Sequence, residues 1–155
     1  MNAERTHIPR FVAARIGQVL DLGDHRIYIV LSASEMASDI VIAEVEVDPG
    51  GGPPRHLHTR EDEIFLIQAG RFAFQIGDEA MEAGPGDSLF APRKIPHAWR
   101  CISEEPARMV CLLTPGTNFE AFAQAIVEQQ LSLTSAEEVG RVLALAEKHG
   151  IQHQV

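Results

Sequence analysis

From about residue 15 to residue 114 the chain is a series of short apolar segments, cut at close intervals by glycine and proline, and this pattern constrains the fold most. His25 to Leu31 and Ile40 to Val47 are rich in Ile and Val. In the second, Val41, Ala43, Val45 and Val47 alternate with Ile42, Glu44, Glu46 and Asp48, the period of two expected of a strand with one buried face. Glu63 to Gln68 and Arg71 to Ile76 flank a turn at Ala69-Gly70. Gly77-Asp78 leads into Glu79 to Glu82, and Gly84-Pro85-Gly86-Asp87 into Ser88 to Ala91. Pro96 to Ile102 and Ala107 to Leu113 follow, separated by Ser103-Glu104-Glu105-Pro106. Strands this short, with turns roughly every 8–12 residues, favour an all-β sandwich or barrel over βαβ units.

The pattern changes near residue 117. Thr117 with Glu120 and Ser135 with Glu138 have capping-box spacing, which marks two helix starts. Phe119, Phe122, Ile126 and Val127 share one helical face, and Val139, Val142, Leu143 and Ala146 another, with Gly150 as C-terminal stop. Both stripes are expected to pack on the outside of the barrel or on another subunit, and a cofactor role is not expected of them. The 155 residues fit one domain, 1–155, with the barrel at about 15–114 and the helical tail at about 117–150.

The net charge of −9 argues against nucleic acid or an anionic membrane surface as partner, since both are polyanions. No apolar stretch approaches the roughly 20 residues that cross a bilayer. Met1 to His7 contains an acid and no apolar core, so it does not read as a secretory signal. Cys101 and Cys111 are too few for a disulfide framework and are expected as small buried hydrophobes. A cytoplasmic location is the expectation from free thiols.

The chemistry concentrates in Gly50 to Glu63. His56 and His58, two apart on a strand, project from one face and can meet one metal, and a carboxylate soon after adds an oxygen ligand. Such a mixed set favours iron, nickel, manganese, copper, cobalt or zinc over calcium or magnesium. A His-x-His pair alone is weak, since paired surface histidines arise by chance. Gly86 to Trp99 adds His97 after a Gly-Asp turn, a strand and a proline loop. His7, His25, His149 and His153 lack ligand spacing and are expected at the surface.

Together the two segments resemble the paired motifs of the cupin superfamily. Gly50, His56, His58, Glu63 and Gly70 match Gly-x5-His-x-His-x4-Glu-x6-Gly; Gly86, Pro92 and His97 match Gly-x5-Pro-x-Gly-x2-His-x3-Asn. Lys94 and Cys101 stand where that motif has Gly and Asn, which puts the loop shape and the substrate side of the pocket in question. The resemblance implies a double-stranded β-helix, a jelly-roll barrel, with two C-terminal helices. It further implies one divalent transition metal on His56, His58, Glu63 and His97, with positions left open for water, oxygen or substrate. Asp62 is the alternative carboxylate, and Glu61 reads either as a solvated charge or as a partner supporting a ligand.

The wording Pro53-Pro54-Arg55-His56-Leu57-His58, Pro96-His97-Ala98-Trp99 and Leu113-Thr114-Pro115-Gly116 is similar to small bacterial cupins related to quercetin 2,3-dioxygenase. That similarity implies a dioxygenase for an enolic or catecholic, flavonoid-like small molecule and O2, with Glu63 as base or plain ligand, and a homodimer. Strand parity turns Phe65 and Ile67 inward with Glu63, and Trp99 and Cys101 inward with His97, as candidate pocket residues. Ordinary barrel packing is the favoured alternative for Phe65 and Ile67, and for Tyr28, whose other reading is a place at the pocket mouth. Two rivals remain: a metal-bearing isomerase or lyase for a sugar or keto acid, and a non-enzymatic cupin that binds a small ligand.

Overall fold

The computed structural model describes residues 9–14 and 18–154. His7 and the start of the expected barrel segment, 15–17, lie outside the described residues. In chain order the elements are β1 (Gln18–Asp21), β2 (His25–Leu31), β3 (Val41–Val47), β4 (His56–His58), β5 (Asp62–Ala69), β6 (Phe72–Ile76), β7 (Glu79–Ala83), β8 (Ser88–Ala91), β9 (His97–Cys101) and β10 (Ala107–Thr114). Then come helices α1 (Thr117–Glu128) and α2 (Ala136–Lys148), and a final strand β11 (Ile151–His153). β1 and β11 were not expected; each is short and carries little alternation of its own.

Among the described residues the strands form two antiparallel sheets, ordered β1-β2-β3-β10-β5-β8 and β11-β4-β9-β6-β7. They face one another as the double-stranded β-helix. Val41, Val45 and Val47 of β3 point into the shared core with Phe65 and Ile67 of β5, Phe72 of β6 and Met109 of β10. Each such side chain contributes about 1.5–3 kcal/mol by leaving water. The outward-facing alternates of β3, Glu44 and Glu46, lie beside Val110 and Arg108 of β10 in register. Both cysteines are buried and free, Cys111 on β10 and Cys101 on β9.

The helices sit differently from expectation. Ser135 caps α2 as its spacing predicts: its Oγ accepts the Glu138 N–H at 3.2 Å. Gly150, at φ +77°, follows the C-cap residue His149. The Thr117–Glu120 box does not form. Gly116 holds the N-cap position without a side-chain hydrogen bond, and Glu120 reaches instead to the loop after β2. There its carboxylate accepts the backbone N–H of Ala33 at 2.9 Å and the hydroxyls of Ser32 and Ser34. Satisfying a buried backbone donor outweighs a cap whose N–H groups water can reach. The apolar faces of both helices close over the barrel rather than lying against its outer wall, as the cavity described below shows.

Candidate metal centre

His56 and His58 lie on β4, His97 on β9, and all three belong to the five-stranded sheet. Glu63 enters from β5 of the six-stranded sheet. His56 and His97 are direct cross-strand partners. The four side chains are buried, and one nitrogen or oxygen from each lies within 4.8 Å of the others. Oε2 of Glu63 is 3.1 Å from Nε2 of His97 and 3.4 Å from Nε2 of His58. The His58 and His97 rings are nearly parallel, at 9°, with His56 tilted against His97 at 4.6 Å between centroids.

The other nitrogen of each ring explains this convergence. Nδ1 of His56 donates to the Pro54 carbonyl at 2.8 Å, and Nδ1 of His97 to the Ile95 carbonyl at 3.3 Å. Nδ1 of His58 donates to the Glu61 carboxylate at 3.2 Å. An acceptor on Nδ1 fixes the proton there and turns the Nε2 lone pair into the cluster. Three lone pairs and a carboxylate aimed at one point repel one another unless a cation or protons lie between them. The donor set therefore fits a divalent transition metal.

Electrostatics bear on each donor differently, and a metal would displace any proton held between the imidazoles and Glu63. Burial, and then the neighbouring His97 and His58, push the His56 imidazole well below its usual range, so it is neutral and able to ligate. Burial alone would raise Glu63, but the hydrogen bond from His97 and the charges of His58 and His97 outweigh it and hold the carboxyl low. Burial likewise opposes charge on His58, yet the Glu61 hydrogen bond and the two nearby carboxylates raise it.

The loop before His97 accommodates Lys94 in a backbone conformation that favours glycine. That lysine adopts φ +68°, the left-handed conformation glycine would take without strain, and its N–H donates to the His58 carbonyl at 2.7 Å. The expected disturbance is paid as local strain, and the loop still reaches the site.

A cavity of about 190 Å3 opens on the cluster. His56, His58 and Glu63 form part of its wall, and Trp99 contributes to it as parity predicts. Phe65, Cys101 and Tyr28 are not among its lining residues. Phe65 is fully buried behind the site, 5.9 Å from the His97 ring and 5.1 Å from Phe74. The Cys101 thiol turns to Ser103. Tyr28 alternates with the wall residue Ile27 and so faces away. Asp62 points outward into a two-pronged ion pair with Arg93, at 3.0 and 3.1 Å. Glu61 is fully buried against His58 rather than solvated.

Several wall residues were not anticipated. Phe119 and Phe122 of α1 and Val139, Val142 and Leu143 of α2 complete the cavity, so the tail stripes face the site. His25 is 2% exposed and lines it, against the expectation of a surface position. The parity rule could have found His25, since Ile27 and Ile29 share its face. His153 is half-buried, 5.5 Å from the His56 ring, and also lines the cavity. No sequence signal marks it, because β11 is placed only by pairing with β4.

These two sheets, with the buried histidine–glutamate cluster between them, have the arrangement of the cupin fold. Residues 43–113, a little under half of the chain, match the cupin domain family, and the chain has the cupin fold. An uncharacterized protein of Methanocaldococcus jannaschii, MJ1618, is 30% identical over 79 residues, 51% of this chain. The match spans 63% of that relative's length. Among solved structures, KdgF from Halomonas sp. superposes with a TM-score of 0.62 at 23% identity, over 70% of this chain and 94% of that one. A predicted oxalate decarboxylase from Thermotoga maritima gives 0.63 at 17% identity, over 68% and 98%. At such identities these two show the fold. The polyketide cyclase RemF from Streptomyces resistomycificus gives 0.55 at 25% identity, over 70% and 80%.

Proposed function

We propose that this chain is a metal-dependent dioxygenase for an enolic or catecholic, flavonoid-like small molecule. The carrying observation is that a three-histidine, one-glutamate donor set stands beside a cavity, with His56, His58 and Glu63 in its wall, and that most of the remaining lining is apolar. A divalent transition metal held by His56, His58, Glu63 and His97 would supply Lewis acidity toward an enol or catechol oxygen. The chain's own residues supply the rest. Trp99, Phe119 and Phe122 offer flat apolar surface to a ring system and exclude water. Both imidazole contacts to Glu63 fall on Oε2, which leaves Oε1 to accept the proton of a substrate hydroxyl. The lowered pKa of Glu63 keeps it ionised for that task.

The relation to RemF supports a second reading, in which a polyketide-like aromatic closes a ring in this cavity without O2. Two measurements decide. Metal analysis of untagged protein is expected to give near-stoichiometric metal in wild type and a loss of at least about tenfold in His97→Ala. Oxygen uptake with a flavonol is expected in wild type alone. Equal metal in both proteins overturns the ligand set, and metal without uptake overturns the dioxygenase.

A further inference from the structure

The cavity has a second polar point that the proposed chemistry leaves unused. His25 is 98% buried by its 2% exposure, lines the cavity, and packs edge-on to Trp99 with ring centroids 5.3 Å apart. A buried imidazole needs hydrogen-bond partners for its ring nitrogens. Nδ1 has one: Oδ1 of Asp24 at 2.6 Å. Asp24 is itself anchored, since Oδ2 accepts the Gly52 N–H at 3.2 Å and its carbonyl accepts the Asp48 N–H at 2.9 Å. A carboxylate accepts only, so Nδ1 carries a proton, and in the neutral imidazole Nε2 is then a lone-pair acceptor on a ring that lines the cavity.

The glycine run Gly50-Gly51-Gly52 fits the same arrangement. A Cβ on Gly51 would stand 2.7 Å from the Asp24 carbonyl, and one on Gly52 would stand 1.9 Å from the Trp99 carbonyl. Only bare backbone lets the strand entering the metal motif lie against both Asp24 and Trp99. The run thus seats the aspartate that orients His25 as well as leading into His56.

We propose that His25, oriented by Asp24, binds a second hydroxyl of the substrate, separate from the oxygen directed to the histidine–glutamate cluster. The substrate class is then a flat apolar ring system carrying at least two hydroxyls, one of them a donor to His25 Nε2. The proposal rests on reading the cavity as the substrate site. An acceptor nitrogen in an apolar wall discriminates strongly, because a ligand without the O–H leaves that nitrogen unpaired in the complex.

The test uses 3-hydroxyflavone and a set of analogues, each with one additional hydroxyl at a different position. Binding is followed by ligand fluorescence in the full-length protein, with metal content measured on the same samples. At least one analogue is expected to bind wild type roughly fivefold to tenfold tighter than the parent compound. His25→Phe is expected to erase that ratio, whatever its effect on the parent compound, and His25→Gln, which keeps an acceptor, to retain part of it. If His25→Phe does not fold, the wild-type series and His25→Gln still decide. Metal bound with no analogue favoured, or with the same analogue equally favoured in a folded His25→Phe, overturns the assignment of His25 alone. A hydroxyl-dependent gain in wild type that lacks metal overturns the metal reading and leaves His25 standing. No compound bound by wild type overturns both.

Discussion

Oε2 of Glu61 lies 3.2 Å from Nδ1 of His58, and the Glu61 side chain is fully buried. Its other oxygen accepts from Nδ2 of Asn118, which also donates to the His149 carbonyl at 2.7 Å. One buried carboxylate thus ties a metal-facing histidine to the first turn of α1 and the end of α2. Orienting groups of this kind set the tautomer and basicity of the ring they hold. Glu61→Gln is expected to weaken metal binding about 10- to 100-fold with the fold retained, as read by chelator competition and circular dichroism. Unchanged affinity would remove Glu61 from the site.

Asp62, the adjacent acid, gives the contrasting outcome. The Arg93 side chain, then its backbone N–H, hold this carboxyl below its ordinary value of 3.8. A group whose folded pKa is depressed stabilises the protein above its unfolded pKa, and the benefit is lost as pH falls through the folded value. Asp62→Asn is expected to leave metal content unchanged and to be slightly less stable than wild type at pH 7. The gap between their urea midpoints closes as pH drops below 3.8. A gap that persists in acid would mean the ion pair is not its source.

Lys94 holds a left-handed backbone at φ +68° beside the metal loop. A non-glycine residue there carries strain of about 1–3 kcal/mol, offset in part by glycine's larger unfolded-state entropy. Lys94→Gly is therefore expected to raise stability by about 1 kcal/mol, seen as a higher thermal midpoint. A lower midpoint would show that the lysine side chain contributes more than its backbone costs.

Gly52 permits the closest backbone approach near the site, with a hypothetical Cβ 1.9 Å from the Trp99 carbonyl. Gly52→Ala must push β9 away from the strand preceding β4, and His97 moves with it. A loss of about 3 kcal/mol in chemical denaturation is expected, together with reduced metal binding. Near-neutral stability would contradict the packing described here.

Both thiols are buried, and burial, with the Glu63 charge, pushes Cys111 well above the usual thiol range. Neither is expected to react with a thiol-specific disulfide reagent at pH 8 in the folded protein, while both react after denaturation. Fast labelling of the native state would place a cysteine at the surface.

The strands from His25 to Leu113 were legible from local signals: β-branched residues and alternation in β2, β3 and β10, and glycine or proline turns beside the shorter ones. The four residues that meet in the centre were legible through a spaced motif. Glu120 shows where local reading failed. Its capping-box spacing is genuine, but its carboxylate is taken by the Ala33 N–H, 87 residues away. His25 differs: its parity with Ile27 and Ile29 gives its inward face, but the approach of Trp99, 74 residues on, is decided only by the fold.

What the amino-acid order determined alone is therefore what short-range physics controls: the period of each strand, the turns, the α2 cap and the spacing of His56, His58, Glu63 and His97. The tertiary structure decided what those elements face. It brought Glu63 from one sheet to the histidines of the other, set the two helices over the cavity, and paired β11 with β4 so that His153 stands opposite His56. Those choices minimise exposed apolar surface and unpaired polar groups over the whole chain at once, a condition that no local stretch of sequence contains.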